Sequence, residues 1–445
     1  MINRMNTNID LVRLYKKQLE HLQRINSVPT WLKSIRESNF ETYKKLGFPT
    51  KKDENWRYFD LSPIASHEFK LPPSNSQTID SAKIQPLKFY GDDCYLLVYV
   101  NGHFQRDYSN NYCSSNNIVI NDLHSSILKS DDFCEKSITK YSQTCNDAFT
   151  SLNLAFLNDG AYIRIPDNTI LDKPIHILNY VSDSAEDCAV FPHNLIVVGD
   201  NCEVEILESF DGLPSLKYFS NTVTKIAIGN NSNVNHCKLQ RESKYASHIA
   251  NQDVYIDGSS RYVSTTITLG GQVSRNNIST YLDNEYAECT LNGLYIGTDK
   301  RLIDNHTLID HAKANCNSYE LFKGILCDNS AGVFNGKIFV HQAAQKTDAK
   351  QTNRVLLLSD DAKINTKPEL EIYADDVKCT HGATIGQLDE EALFYLKARG
   401  ITKRNAYALL TRAFANEALQ KVSQDSIRDL VAEYLNAIID ETPAK

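Results

Sequence analysis

The chain of 445 residues carries 47 Lys and Arg against 55 Asp and Glu, a formal net charge of −8, and 42% of its residues are hydrophobic. This composition is typical of a globular protein, and the length allows two to four domains or one elongated repeat structure with smaller flanking parts. The acidic balance, without any run of five like charges, argues against nucleic acid or an anionic membrane surface as the main partner.

Neither an export signal nor a membrane span is predicted, because no basic segment precedes an apolar one at the N-terminus and no apolar run reaches about 18 residues. The chain has 11 cysteines and no Cys-x-x-Cys pair, so it contains no recognisable zinc ribbon or ferredoxin-type cluster motif. An odd number of cysteines in a chain without an export signal favours a reducing compartment. We therefore expect a cytoplasmic protein.

The first ~85 residues predict α-helices. Apolar residues from Leu11 to Ile25 share one stripe, and Thr30 is placed to cap a second helix that ends before Gly47. A Pro- and Ser-containing stretch at 71–76 then separates this part from a region rich in β-prone residues. The sequence therefore predicts an N-terminal helical domain over residues 1–85.

A β core is predicted over residues 86–386, with a mixed initial segment at 86–160. The run from Cys94 to Phe104 predicts a β-hairpin that turns at Asn101-Gly102, because both residues tolerate a positive φ. Farther on, short β-prone runs are separated by Gly, Asn and Asp turns. These turns begin at positions 199, 229, 257, 283, 328 and 360.

Most of these turn starts are separated by roughly 30 residues, an interval typical of one coil of a solenoid. The interval between 283 and 328 is longer and leaves room for two shorter coils. Helices are scarce between the strands, so a Rossmann-like sheet is disfavoured and a parallel β-helix is favoured. An antiparallel sandwich remains the alternative from the pattern alone.

Residues 387–445 predict a C-terminal helical domain. Asp389 opens a helix that Gly400 ends, and apolar residues from Ile427 to Ile438 form one stripe on a later helix. Such a stripe packs on its own domain or docks a partner, and the two cases look alike in sequence.

Motifs of several enzyme classes are absent, including the P-loop, the Gly-x-Ser-x-Gly elbow and the His-Glu-x-x-His helix. His306 and His311 are five residues apart, so on one strand they face opposite sides and do not ligate one metal together. Cys379 and His381 are two apart, which places a thiol and an imidazole on the same face of a strand. Both groups suit iron or zinc, although such a pair alone is a weak signal.

The residues around this pair resemble a known family. The similarity extends over the following segments: Phe334-Asn335-Gly336-Lys337-Ile338, Ala344-Gln345-Lys346-Thr347-Asp348-Ala349, Leu356-Leu357-Leu358-Ser359, Pro368-Glu369-Leu370-Glu371-Ile372 and Ala374-Asp375-Asp376-Val377-Lys378-Cys379-Thr380-His381-Gly382-Ala383-Thr384. These motifs resemble the SufB/SufD family of iron-sulfur cluster assembly proteins, with Asn55-Trp56-Arg57-Tyr58 as a weaker upstream match. The chain is more similar to the SufD branch, since it lacks an N-terminal cysteine motif and has Gly382 after the histidine.

The resemblance implies a right-handed parallel β-helix with helical domains at both ends. It implies a non-ATPase subunit of the SufBCD scaffold complex that pairs with SufB, docks the SufC ATPase, and supports iron uptake and nascent cluster assembly at the SufB–SufD interface. His381 corresponds to the family's functional histidine, whereas Cys379 matches an assembly cysteine of the paralogue by position only.

The same resemblance implies that no cofactor is stably bound by the chain alone. A transient iron-sulfur cluster would form in the complex, with ligands from SufB, and ATP would act only through SufC. The family also allows a reduced flavin in the complex and a homodimer of the isolated chain. We expect the dimer contact on the strands from Leu370 to Ile385, where a final coil leaves unpaired backbone groups.

Two alternatives follow from the residues without the resemblance. A β-helix carbohydrate-active enzyme would need acidic residues at equal coil positions and usually an export signal. A purely structural interaction solenoid would leave Cys379 and His381 without a chemical role. Because no enzyme motif is present, we expect a protein that is not an enzyme.

Overall fold

A computed structural model describes residues 2–25, 28–73, 80–110, 113–115, 118–142 and 147–441. Part of the predicted stretch at 71–76 and the last four residues of the predicted C-terminal domain lie outside the described residues. About 40% of the chain is in strands, which form a parallel β-solenoid between helical N-terminal and C-terminal regions, and this confirms the predicted fold class.

The helices, in chain order, are α1 Ile2–Ile25, α2 Thr30–Leu46, α3 Ser62–Ala65, α4 Ser81–Ile84, α5 Leu123–Leu128, α6 Asp132–Ser142, α7 Ala148–Ala155, α8 Glu390–Ala398, α9 Lys403–Leu419 and α10 Asp425–Glu441. The early strands are β1 Tyr95–Val100, β2 His103–Phe104, β3 Cys113–Ser115, β4 Ile118–Asp122, β5 Ala161–Ile165, β6 Ile175–Val181, β7 Ala189–Val190 and β8 His193–Val198.

The solenoid strands are β9 Glu203–Gly212, β10 Phe219–Ile228, β11 Asn233–Arg241, β12 Ser247–Ile256, β13 Arg261–Thr268, β14 Val273–Leu282, β15 Glu288–Gly297, β16 Leu302–His311, β17 Asn317–Leu326, β18 Ala331–Val340, β19 Asp348–Leu357, β20 Lys363–Ile372 and β21 Lys378–Gly386. No helix in the described ranges is long and apolar enough to cross a membrane.

Successive strands alternate between two sheets. The first sheet has the order β2-β1-β6-β9-β11-β13-β15-β17-β19-β21, and the second runs β20-β18-β16-β14-β12-β10-β8-β5-β4-β3, with β7 beside β10. From β9 onward every pairing joins a strand to its equivalent in the next coil and is parallel. The antiparallel sandwich is therefore wrong for this core.

Coil length is nearly constant along the core. The register connects Glu203, Asn233, Arg261, Glu288, Asn317, Asp348 and Lys378 in successive coils, so each coil spans roughly 30 residues. The interval from 283 to 328, which left room for two shorter coils, does not contain them, because the coils there have about the same length as the others. One corner, the first, leads from the second sheet to the first sheet and contains the turns that start at 199, 229, 257 and 283. The opposite corner contains the turns that start at 328 and 360. The turn at 312–316 belongs to the first corner but contains neither Gly nor Asp.

Asparagines determine the geometry of the first corner. Asn201 and Asn231 have φ values of 55° and 54°, in the left-handed region that Asn tolerates better than most residues. Their amides also form a ladder, because Nδ2 of Asn231 donates to Oδ1 of Asn201 at 2.8 Å and Nδ2 of Asn201 donates to Oδ1 of Asn168 at 2.9 Å. These side chains therefore both shape the turn and connect successive coils.

The predicted hairpin at the start of the core is confirmed. Strand β1 pairs with β2 in antiparallel register, and Asn101 and Gly102 have φ values of 52° and 78°. The predicted cap at Thr30 is wrong, because α2 begins at Thr30 and its N-cap is Pro29, without a side-chain hydrogen bond. Proline is suited to this end of a helix because the first N–H groups have no intrahelical partner.

A buried cation attaches the N-terminal region to the second sheet. The guanidinium of Arg275 lies 3.8 Å from the ring centroid of Trp56, and its Nη1 donates to the backbone oxygen of Asn55 at 2.6 Å. The same atom donates to Oδ2 of Asp304 at 2.7 Å, and the side chains of Arg275 and Asp304 are 3% and 1% exposed. This contact gives Asn55 and Trp56 a structural role in holding the N-terminal region on the sheet.

The C-terminal helices α9 and α10 cover the outer face of the first sheet. Ile427, Val431 and Leu435 of α10 are buried in a cluster with Leu239 and Leu294 of the sheet. The hydroxyl of Tyr434 donates to the backbone oxygen of Leu269 at 2.8 Å. The apolar stripe on α10 therefore packs against the chain's own core. Helix α8 is capped by Asp389 and ends before Gly400, as predicted.

Replacing Arg275 by Leu should destabilise the protein by about 3–5 kcal/mol, because Asp304 then loses its buried partner. The matched control is Arg57→Leu. Arg57 is exposed in the segment that contains Asn55 and Trp56, so its replacement should change stability by about 0.5 kcal/mol or less. Equilibrium denaturation measures both variants. A loss below about 1 kcal/mol for Arg275→Leu would show that the cation does not hold the N-terminal region on the core.

Candidate functional site

The last coil of the solenoid leaves two strand edges open. Strands β20 and β21 end the two sheets, and no strand in the described part of the chain lies beyond either of them. The N–H of Tyr373 bonds back to Val340 at 2.9 Å and that of Lys378 to Thr347 at 2.8 Å. Because alternate residues of a strand turn their amides to opposite sides, the N–H groups of Ile372, Ala383 and Ile385 point away from the solenoid.

Both predicted site residues lie on the edge strand β21. Cys379 pairs in register with Ala349, and His381 pairs with Gln351. Their partners in β19 are buried on the interior side, so Cys379 and His381 both face the interior line of the solenoid at its open end. Cys379 is half-buried and His381 is exposed. The two residues therefore share one face, as the spacing predicted.

The thiol of Cys379 lies in an apolar environment. It packs against the cluster that contains Ile338, Val340 and Ala349. Burial is the main cause that raises the pKa of this thiol above its usual value, and the carboxylate of Asp348 adds to the effect. The thiolate is the form that binds metals, so this environment disfavours Cys379 as a ligand in the chain alone.

A short polar column lies directly beneath His381. In successive coils the same interior position is occupied by His381, Gln351 and Glu320, and then by the buried Leu291. Nε2 of Gln351 donates to Oε2 of Glu320 at 2.8 Å. The line is thus polar for three layers from the open end, and Leu291 interrupts it in the fourth.

A glycine on the opposite sheet makes room for this column. A Cβ atom at Gly336 would lie 2.1 Å from Nε2 of Gln351, which is closer than real atoms approach. Gly336 belongs to the motif at 334–338, so the structure gives a physical reason for the absence of a side chain there. The glycine is needed because the amide of Gln351 occupies that space.

Glu320 is a fully buried carboxyl group. Its side chain has no exposed surface, and Oε1 has no hydrogen-bond partner among the described residues. Burial raises the pKa of Glu320 from 4.5 to about 7, against the smaller opposing effects of Thr307 and Gln351. This buried carboxyl group lies two layers below the exposed imidazole of His381.

The other histidine pair does not form a site. His311 is buried and its Nε2 lies 2.9 Å from Oγ of Ser318, whereas His306 is on the outer face with Nε2 3.1 Å from Oδ1 of Asp304. The prediction that the two rings face opposite sides is confirmed. Burial lowers the pKa of His311 to about 4, so its ring is neutral inside the core.

The sequence did not identify Gln351 and Glu320 as part of this site. A signal existed, because Glu320 alternates with Ser318 and Phe322 on the inward side of β17, where a charged residue is unusual. Glu320 lies beside Gln351 only because of the coil step between β17 and β19. The turn pattern did not locate the coil boundaries in this part of the sequence. The register therefore had to be known before the column could be recognised.

The site holds an imidazole and a thiol but not a full ligand set. No group of three or more His, Cys, Asp and Glu side chains is arranged for a metal ion in the described ranges. Iron and zinc sites use about four protein or external ligands. At the open edge the arrangement can therefore contribute one imidazole and one thiol as ligands.

Comparison with known proteins gives the family. The model of the SUF system FeS cluster assembly SufBD core domain matches residues 180–414, and that of the SufBD protein N-terminal region matches residues 5–177. An iron-sulfur cluster assembly SufBD family protein of Synechocystis is 34% identical over 88% of this chain and 88% of its own. The iron-sulfur cluster assembly protein SufD of Escherichia coli is 30% identical over 89% and 90%. SufD of Bacillus subtilis is 24% identical over 90% and 92%.

Replacing Glu320 by Gln should change how stability depends on pH. The pKa of Glu320 is higher in the folded chain than its usual 4.5, so the wild-type protein loses stability as the pH rises from 4.5 to about 7. The Gln variant lacks this titration. Its stability relative to the wild type should therefore rise by about 3 kcal/mol between pH 4.5 and pH 8. Denaturation of both proteins at several pH values measures the difference, and parallel curves would contradict the buried, protonated carboxyl.

Proposed function

Because the chain belongs to the SufBD family of iron-sulfur cluster assembly proteins, we propose that it is the SufD-type subunit of a SufBCD scaffold complex. In this role it is not an enzyme itself. It pairs with SufB, docks the SufC ATPase, and supports iron uptake and nascent cluster assembly at the contact with SufB. The observation that carries the proposal is the open final coil, which presents His381 and Cys379 beside two unpaired strand edges.

The strand edges provide the means of pairing. Outward N–H and C=O groups on β20 and β21 can extend both sheets into those of a partner that has the same fold. Pro368 lies on β20 at a position whose amide would point outward, and it lacks an N–H to donate. Such an edge proline limits uncontrolled strand addition and so favours a specific partner. The same edges would allow a homodimer in isolation.

The exposed imidazole of His381 supports a role in iron binding. A neutral ring nitrogen of histidine is a good ligand for iron. The described residues around His381 do not form a complete set of metal ligands. The remaining thiolate or carboxylate ligands would come from SufB. Cys379 would take part only if contact with the partner lowered its raised pKa.

The C-terminal helices support a docking role for SufC. Helix α8 buries none of its residues, and its Phe394 and Tyr395 are 71% and 56% exposed. On the adjacent helix α9, Leu409 is 47% exposed. Aromatic residues that are exposed together on one helix are typical of a protein contact surface. ATP bound to SufC would then act on this chain through α8, a helix that has no buried residues.

Further expectations remain part of this proposal. A transient iron-sulfur cluster would be carried only in the complex, where the family also allows a reduced flavin. A cytoplasmic location fits the nine cysteines whose side chains the structure describes, since none of them is in a disulfide with another described residue. A purely structural solenoid is the competing function, and the variants below separate the two.

Proline at an outward-facing amide of the edge should weaken pairing with SufB. Ile372→Pro and Ala383→Pro each remove one outward donor while the inner ladder keeps its bonds. We expect at least a tenfold loss of affinity in each case. Ala383→Ser, which keeps the N–H, is the matched control. Unchanged affinity of both folded proline variants would place the contact with SufB elsewhere.

Removing the exposed aromatic surface of α8 should prevent docking of SufC. The variant Phe394→Ser with Tyr395→Ser changes only exposed side chains, so the fold should be retained and the affinity for SufC should fall at least tenfold. Tyr245→Ser is the control, because Tyr245 is 47% exposed in the turn between β11 and β12, outside helix α8. Binding assays with purified SufC measure both. If the double variant binds normally, α8 is not the docking helix.

Replacing His381 by Asn should reduce cluster formation sharply in the assembled complex while assembly and ATP hydrolysis stay near normal. The reason is that Asn keeps hydrogen bonding but lacks the imidazole ligand. His341→Asn is the control, since its side chain is 45% exposed and pairs with Asp310 on the outer face. Iron and sulfide content after reconstitution measures the effect. Undiminished incorporation would leave His381 a packing role only and favour the structural solenoid.

A further inference from the structure

We infer that Gln351 and Glu320 are positioning residues for His381, holding its ring through a hydrogen-bonded column inside the last three coils. This inference rests on the proposed function of His381, and it adds two residues that do not touch the bound iron. The three side chains stack in register, and one hydrogen bond fixes the middle one.

The orientation of the Gln351 amide follows from its partner. Only the NH₂ end of an amide can donate, and Nε2 donates to Oε2 of Glu320 in the coil below. The carbonyl end, Oε1, is buried and has no hydrogen-bond partner among the described residues. A buried acceptor without a donor is unfavourable, which makes Oε1 an acceptor that awaits an N–H group.

The residue able to supply that N–H is His381. Neighbouring strands lie about 4.8 Å apart, a distance that Gln351 and Glu320 already bridge with their side chains. His381 occupies the same interior position one layer above Gln351. A ring N–H donated to Oε1 would fix one tautomer and leave the other ring nitrogen free as a ligand directed to the open edge.

Two features show that the column is built for this arrangement. Gly336 leaves the space in which Nε2 of Gln351 sits, so the amide is kept in the interior line. Glu320 stays buried although a carboxyl group there is unfavourable, and Leu291 below it shows that the core accepts an apolar residue at the equivalent position.

The test measures the tautomer ratio of the His381 ring in the isolated full-length chain. Protein labelled with ¹⁵N-histidine is studied by NMR at a pH where imidazoles are neutral, and the His381 signals are assigned by their loss in His381→Asn. We expect the wild-type ring to hold one tautomer more strongly than the exposed His21. Gln351→Leu, Glu320→Leu and Gly336→Ala should move the tautomer ratio toward that of His21.

Controls separate positioning from general damage. Glu320→Gln keeps an acceptor for Nε2 and should preserve the wild-type ratio. Asn353→Leu removes a buried amide from the same strand, one that donates to Thr366 at 3.0 Å outside the column, and should also preserve it. Thermal melts identify variants that do not fold. If the Leu variants fail, Gly336→Ala still displaces the amide without removing it.

The second readout is the rate of cluster formation in the complex with SufB and SufC. We expect this rate to fall about tenfold in Gln351→Leu and Glu320→Leu and to stay normal in Glu320→Gln and Asn353→Leu. A wild-type ring with the tautomer ratio of His21, or a ratio unchanged in all column variants, would overturn the inference. Undiminished cluster formation in His381→Asn, together with a shifted ratio in the Leu variants, would refute the proposed function and uphold the column.

Discussion

The parallel pairing of each strand with its equivalent in the next coil is the interaction on which the rest of the structure depends. Because the coil step is nearly constant, the same interior position recurs in every coil and side chains form columns along the axis. The pairing also has to stop somewhere. Where it stops, at β20 and β21, the backbone groups of the last coil lack partners within the described chain and the interior is open to another molecule.

The position of the candidate site follows from this ending. His381 and Cys379 face inward by register, yet no coil in the described ranges covers them, so they are interior residues that remain accessible. In our inference, Gln351 and Glu320 in the two layers beneath support the ring of His381. The helical regions have a different task, since α9 and α10 cover one outer face and Arg275 fixes the N-terminal region to the other sheet.

Much of the fold could be predicted from the sequence because local signals coincide with it. The hairpin at Asn101-Gly102, the helix between Asp389 and Gly400 and the stripe on α10 all depend on short-range patterns. The coil boundaries near residue 312 were not predicted, because that turn contains neither Gly nor Asp while Asp328 lies at the opposite corner. Cys379 and His381 were found through motif and spacing. Gln351 and Glu320 were missed because a column exists only in three dimensions.

In our proposal the open coil is where a second SufBD-type chain completes the site. The most direct measurement is hydrogen exchange of the backbone amides of β20 and β21, before and after the chain binds SufB. We expect the outward amides of Ile372, Ala383 and Ile385 to exchange rapidly in the free chain and at least tenfold more slowly in the complex. A complex that forms fully while these amides keep their free rates would contradict the proposal.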